Sequence, residues 1–331
     1  MTRGRRRLTI FVAAVVLMPP LISHLIPVRR DFDPKPVTRL RHKQPAVVMI
    51  GDSVLGGSIN PSLFARELGL RGVELLWNGG AASAAWYLLL KNYVVASGIH
   101  PQLVCIFFRE RMLTDATFRT TPTYRRFLES IQHEKEPIFR AILEGDATQE
   151  ENALSRVIDW LYPLNGRRHV QAEKISRLAF RVAEGGSARI GPLRRRVNEI
   201  FDVAKLRDEI MNESTELSGE IPEEFVPDPK RNFLPHLVAT AKEAAIPLCF
   251  VREKRYPQPD GTTAQSEDMK RYIAKLRRWV EDQGCTFVDL TNDSEPDQGM
   301  YTKPGDDHIR PAAKDKMTRI YAEKLRPLLR Q

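Results

Sequence analysis

The chain has 331 residues, 42% of them hydrophobic, which is enough to bury a full core and excludes a chain disordered throughout. Its formal charge of +9 does not mark a nucleic-acid binder. Residues 1–43 hold ten Lys/Arg against two Asp, leaving 41 basic and 40 acidic residues for a nearly neutral body with no excess to neutralise phosphates.

The first element is an apolar run over residues 8 to about 28 (LTIFVAAVVLMPPLISHLIPV), behind Arg3, Arg5, Arg6 and Arg7. Roughly 20 apolar residues cross a bilayer, whereas a cleaved signal carries about 7 to 15 and a small-x-small cleavage site. Residues 1–30 therefore read as a basic leader and a transmembrane signal-anchor, with the N-terminus inside and the body outside the cytoplasm, periplasmic or on the cell surface. Arg29, Arg30, Arg39 and Arg41 beyond the run blunt the charge asymmetry that sets orientation. Pro19, Pro20 and His24 interrupt the run and keep a cleaved signal as the alternative; both readings export the body. Residues 31–44, rich in Pro, Arg and Lys, read as a tether.

The domain is expected over residues 45–331. AVVMIGDS (46–53) is an unbroken apolar run closing on Gly-Asp-Ser, as a strand buried on both faces and ended by a tight turn would be. A helix over 61–70, a strand VELLWNGG (73–80), a helix over 84–97 and a strand QLVCIFF (102–108) follow. From about 115 to 232 the alternation gives way to helical periodicity (124–143, 153–162, 170–184, 193–212), read as a helical insertion. It resumes with a helix over 234–245, strands PLCFVRE (247–253) and TFVDL (286–290) on either side of a helix over 268–283, and a final helix over 311–329. This pattern predicts an α/β fold, a doubly wound, mostly parallel five-stranded sheet of flavodoxin-like kind, with chemistry at the carboxyl ends of the strands.

At those ends stand Gly51-Asp52-Ser53, Asn78-Gly79-Gly80 and the segment from Arg109 to Leu113; His308 precedes the last helix. Gly-Asp-Ser in isolation is a common turn and helix-cap tripeptide. After a buried strand and before Gly56-Gly57, it lifts a serine hydroxyl out of the sheet, and a serine needs a neighbouring base, for which His308 is the candidate. Asp306 or Asp307 is the candidate to orient the imidazole. Asn78-Gly79-Gly80 reads equally as a tight turn, and His308 as a surface residue at a helix start.

These residues resemble the SGNH/GDSL hydrolase family, over residues 45–97, 101–114 and 235–329. The resemblance implies ester hydrolysis or acyl transfer through Ser53, with His308 as general base and the Ser53 amide and Gly80 as oxyanion donors, beside Asn78. Two departures stand out. The third block reads FFRERML, so Arg109 or Arg111 stands where the family has an Asn donor, to bind an oxyanion or an anionic sugar, or to pair with Glu110. The last block is GDDH, so Asp-x-x-His fails, and Asp306 must reach the ring by a different turn unless Asp289 or Asp293 serves.

Cys105 and Cys249 lie in apolar runs and read as buried thiols, with a bridge between them compatible with an oxidising compartment. Neither they nor Cys285 shows metal-ligand spacing to a His, and the sequence calls for no metal or cofactor. Trp86, Trp160 and Trp279 read as core rather than sugar platforms, and Arg194-Arg195-Arg196 as a solvated helix face.

The expected function is thus an anchored serine esterase or O-acyltransferase. Its expected partners are the membrane, an acylated cell-envelope or exported polysaccharide or a small ester, and, for a transferase, a membrane acyl-donor protein. The competing readings are a degenerate SGNH domain that binds a glycan or a membrane partner through the insertion, and a pure membrane scaffold.

Overall fold

A computed structural model describes residues 32–120, 122–133, 136–144, 225 and 227–329. Five strands, β1 (Val47–Gly51), β2 (Val73–Trp77), β3 (Leu103–Phe108), β4 (Leu248–Arg252) and β5 (Thr286–Asp289), form one sheet in the order β2-β1-β3-β4-β5. Every pairing is parallel, so the sheet is wholly rather than mostly so.

Alternate side chains of a strand face opposite sides, which is why the unbroken apolar runs need cover on both faces. Val48 and Ile50 of β1, Val104 and Ile106 of β3 and Phe250 of β4 pack under α1 (Lys35–Lys43), α4 (Ser83–Leu89), α7 (Leu234–Glu243) and α8 (Glu267–Asp282). Val47, Met49, Cys105, Phe107 and Val251 pack under α2 (Ser53–Ser58), α3 (Pro61–Leu68) and α9 (Lys314–Leu325). The winding reverses between β1 and β3, and the crevice above their carboxyl ends is where such folds hold ligands.

Local chemistry explains the helix starts. The Asn60 side chain accepts from the Leu63 N–H ahead of Pro61 at the first turn of α3, and Ser266 does the same for Met269 in α8. Gly51 is required where β1 meets α2, because a Cβ there would fall 2.8 Å from Leu55 Cδ2 and 3.2 Å from Phe107 Cβ.

Several expectations change. Residues 35–43, expected within a tether, form α1: Val37 and Leu40 are buried in the core, and Arg39 and Lys43 both pair with Glu74 of β2. The amphipathic spacing of Val37 and Leu40 was masked by the surrounding charge. The helix expected over 84–97 is α4 continued by a π-helical turn, Leu90–Val95. The one expected over 124–143 is two, α5 (Pro122–Ser130) and α6 (Pro137–Glu144), because Pro137 opens a new first turn. Leu128 and Ile131 are buried in the sheet's core, so the start of the expected insertion belongs to the α/β unit, which comprises residues 31–145 and 217–331. The last helix is α9 with a 3-10 turn at each end, Pro311–Ala313 and Arg326–Leu329.

Cys105 and Cys249 face each other in the β3–β4 register, both buried and both free. The contact with Cys249, then burial, holds the Cys105 thiol well above its ordinary value, so it stays protonated. Among the described residues no helix is long and apolar enough to cross a membrane. Residues 8–28, the helices expected over 153–162, 170–184 and 193–212, Trp160 and the Arg194-Arg195-Arg196 run lie outside the described residues.

Candidate functional site

The turn from β1 into α2 places three residues with different tasks. Gly51 allows the close approach of Leu55 and Phe107. Asp52 caps α2, its Oδ1 accepting from the Val54 N–H at 2.9 Å. Ser53 is the first residue of α2, so its own N–H has no acceptor inside the helix.

His308 arrives from a turn over residues 302–308 in which Gly305 has φ +76°, a conformation suited to glycine. Thr302 N–H donates to His308 O at 2.9 Å, and Tyr301 bridges Ile309 antiparallel, so the turn is closed at its base. This holds His308 Nε2 2.8 Å from Ser53 Oγ. Its Nδ1 lies 2.6 Å from Asp306 Oδ1, which also accepts the His308 backbone N–H at 3.0 Å. An aspartate two residues before a histidine can do both because its side chain folds forward in an Asx turn. Burial would raise the Asp306 carboxyl, but hydrogen bonds from Thr302, the His308 ring and the His308 N–H outweigh it and hold the group below its ordinary value. An ionised Asp306 is acceptor-only, so Nδ1 carries the proton and Nε2 is left to accept from Ser53.

Below this trio lies a buried charge cluster centred on Arg109, the residue that follows β3. Its guanidinium pairs with Asp52 Oδ2 and donates to Asp307 Oδ2 at 2.7 Å, with Glu253 Oε2 4.0 Å from Nε. Arg119 Nη1 donates to Asp52 Oδ2 at 3.1 Å and to Ala81 O at 3.0 Å. Asp307 also accepts the Tyr256 N–H at 3.1 Å and lies 3.4 Å from Arg255 Nε. One guanidinium thus ties together Asp52, the neighbour of Ser53, and Asp307, the neighbour of His308, and so positions two segments 255 residues apart. Burial opposes the charge on Asp52, but Arg109 and Arg119 hold its carboxyl below the ordinary value. Glu253 is pushed the other way: burial and the Asp52 charge raise it well above the usual carboxylate range despite Arg109, which leaves it protonated.

Ser53, His308 and Asp306 are therefore brought together. Asn78-Gly79-Gly80 adjoins them, since a Cβ on Gly79 would lie 3.9 Å from Ser53 Cβ. The Gly80 N–H, expected to face an oxyanion, donates instead to Asn78 Oδ1 at 2.9 Å, as the turn reading of that segment has it. Arg109, expected as an oxyanion or sugar ligand or as the pair of Glu110, is taken up by Asp52 and Asp307, because the buried carboxylates demand compensation first. Arg111 is buried, with its charge felt at Tyr272 of α8. Asp289 pairs with Arg252 and Arg277, and Asp293 with Lys324, so neither orients His308. Arg119, Glu253 and Tyr124, whose ring closes over Gly80, are absent from the sequence reading, and no local pattern marks them. Trp86 is buried and Trp279 packs against the core, whereas Trp77, at the end of β2, is 50% exposed.

A separate cleft of about 490 Å³ lies at the ends of β4 and β5, lined by Arg252, Arg277, Arg278 and Asp289 among others. Two of its arginines, Arg252 and Arg277, are paired with Asp289.

No protein-family model and no curated protein matches the chain. Among solved structures, it is similar to a "putative acylhydrolase" from Bacteroides fragilis, at 12% identity and a TM-score of 0.40, over 88% of this chain and 95% of that one.

Proposed function

We propose that the protein is a serine hydrolase or O-acyltransferase of the SGNH type, with Ser53 as nucleophile, His308 as general base and Asp306 as the residue that orients the imidazole. The observation that carries this reading is the continuous chain Ser53 Oγ, His308 Nε2, His308 Nδ1, Asp306 Oδ1, with contacts of 2.8 and 2.6 Å. His308 Nε2 takes the Ser53 proton as Oγ attacks an ester carbonyl, and Asp306 stabilises the imidazolium. The tetrahedral oxyanion meets the Ser53 N–H, and the Gly80 N–H after exchanging its bond to Asn78. Collapse returns the proton from His308 to the leaving alcohol and leaves an acyl group on Ser53. Water then releases it in a hydrolase, or an acceptor hydroxyl in a transferase. The His308 side chain is 43% exposed, so a bulky ester can reach the pair. The substrate in this reading is an acylated polysaccharide of the cell envelope or an exported one, met outside the cytoplasm by a domain anchored through residues 1–30.

The test is labelling of the full-length chain by a fluorophosphonate probe. Labelling is expected for the wild type and lost in Ser53→Ala and His308→Ala. A folded wild type that takes no label overturns the reading. One observation favours a second reading, a degenerate domain that binds an acylated glycan without turning it over: the Gly80 N–H is occupied and no Asn follows β3. In that case Ser53→Ala leaves cellular function intact.

A further inference from the structure

We infer that Trp77 is the floor of a subsite that stacks a pyranose ring of the substrate beside Ser53, an inference that rests on the function proposed above. Trp77 ends β2 directly opposite Gly51 in the β1–β2 register, two residues short of Ser53. It is 50% exposed, the one large hydrophobic side chain among the described residues that is open to solvent. A lone exposed indole at the carboxyl edge of the sheet, next to the nucleophile, is placed where a ligand binds rather than where the core needs it.

Its orientation follows from Gly56. A Cβ on Gly56 would lie 2.5 Å from both Cδ2 and Cε2 of Trp77 and 2.8 Å from Cε3. Cδ2 and Cε2 are the fusion atoms shared by both rings, so an atom can approach the two equally only through the face of the indole. One face therefore lies flat on the Gly56 backbone, and no other residue type fits at position 56 without displacing it. Solvent reaches the ring from its other side. Gly57 borders open space, with nothing within 4 Å of where its Cβ would be. Lys314 Nζ donates to Gly56 O at 2.8 Å, placing an ammonium at the margin of the platform, and Asn78 follows in the chain.

A flat apolar face with hydrogen-bonding groups at its rim fits a pyranose, which has an apolar C–H face and a hydroxyl edge. A long acyl chain needs a concave pocket walled by several apolar side chains, and a protein interface needs a contiguous apolar patch. Among the described residues Trp77 offers neither, since it stands alone. Adjacent strands are about 4.8 Å apart, comparable to the width of one sugar ring, so a ring on Trp77 presents an ester on itself or its neighbour to Ser53.

The test compares full-length wild type, Trp77→Ala and Trp77→Phe on p-nitrophenyl acetate, p-nitrophenyl octanoate, the fluorophosphonate probe and a panel of acetylated neutral and acidic oligosaccharides. Trp77→Ala is expected to keep labelling and p-nitrophenyl acetate turnover within about twofold. It should raise KM for an acetylated oligosaccharide roughly tenfold at unchanged kcat, the loss of one stacking contact, and Trp77→Phe should recover part of it. Equal loss on all substrates, selective loss on the octanoate, or no loss on any oligosaccharide overturns the inference. Absence of labelling in wild type overturns the parent reading instead. Calorimetric titration of the same oligosaccharides into Ser53→Ala and Ser53→Ala/Trp77→Ala then decides the subsite, since equal affinity, or no binding to either, refutes it.

Discussion

Replacing Arg109 by Ala separates two roles for this side chain. As an oxyanion ligand, its loss would lower turnover and spare stability; as the hub of the buried charge cluster, its loss is felt first in stability. Asp52 and Asp307 are 2% and 11% exposed, and both rely on Arg109. Removing one member of a buried ion pair costs about 3 to 5 kcal/mol. Asp52 keeps Arg119 at 3.1 Å and Asp307 keeps Arg255 at 3.4 Å, so the lower end, about 3 kcal/mol at neutral pH, is expected. That is a large part of the roughly 5 to 15 kcal/mol that holds a domain folded. The pH dependence follows from Asp52. Its folded carboxyl lies below the ordinary 3.8, so its stabilisation is fully present above that pH and lost as pH falls through the folded value. The gap between wild type and Arg109→Ala should therefore be widest at neutral pH and narrow below about pH 4. Urea denaturation followed by circular dichroism, repeated across pH, measures it. Arg109→Lys should recover part of the loss, and adding Asp52→Asn to Arg109→Ala should recover more. An Arg109→Ala variant within about 0.5 kcal/mol of wild type at every pH, the range of an ordinary surface substitution, with only turnover reduced, would refute the hub assignment.

Glu253→Gln should act in the opposite sense. Glu253 stays protonated in the fold while the unfolded chain releases its proton above about pH 4.5, so wild-type stability falls as pH rises from there to the folded value, by up to about 1.4 kcal/mol per pH unit. The glutamine variant lacks that decline and should gain on the wild type as pH rises above about 4.5 in the same denaturation series; parallel curves would show an ionised Glu253 in the fold. Asp306→Asn removes the charge that fixes the His308 tautomer. It should lower turnover by as much as about 10⁴-fold, with a small fall in the unfolding midpoint at neutral pH as the bonds from Thr302 and the His308 N–H weaken, and unaltered turnover of p-nitrophenyl acetate would remove Asp306 from the mechanism.

The parallel sheet was legible because its strands are short apolar runs buried on both faces, and burial on both faces leaves a mark in one dimension. The Gly-Asp-Ser turn was legible for a similarly local reason: Gly51 is demanded by the approach of Leu55 four residues on, and Asp52 by the first turn of α2. The Trp77 platform went unread because an exposed tryptophan at a strand end has the same local pattern as a buried one. α1 was hidden by charge, its two buried residues, Val37 and Leu40, being outnumbered by Lys and Arg.

From the sequence alone followed the α/β alternation, the serine at the end of the first strand and the histidine ahead of the last helix, because periodicity and turn chemistry act over a few residues. The tertiary structure alone decided the rest. It brought Ser53 within 2.8 Å of His308, chose Asp306 over Asp307 as the acid at the ring, and turned Arg109 from a presumed ligand into the tie between their neighbours. Those outcomes depend on which carboxylates are buried beside which cations once β1, β3 and the 302–308 turn meet, and a buried charge takes whatever compensation the fold places within reach.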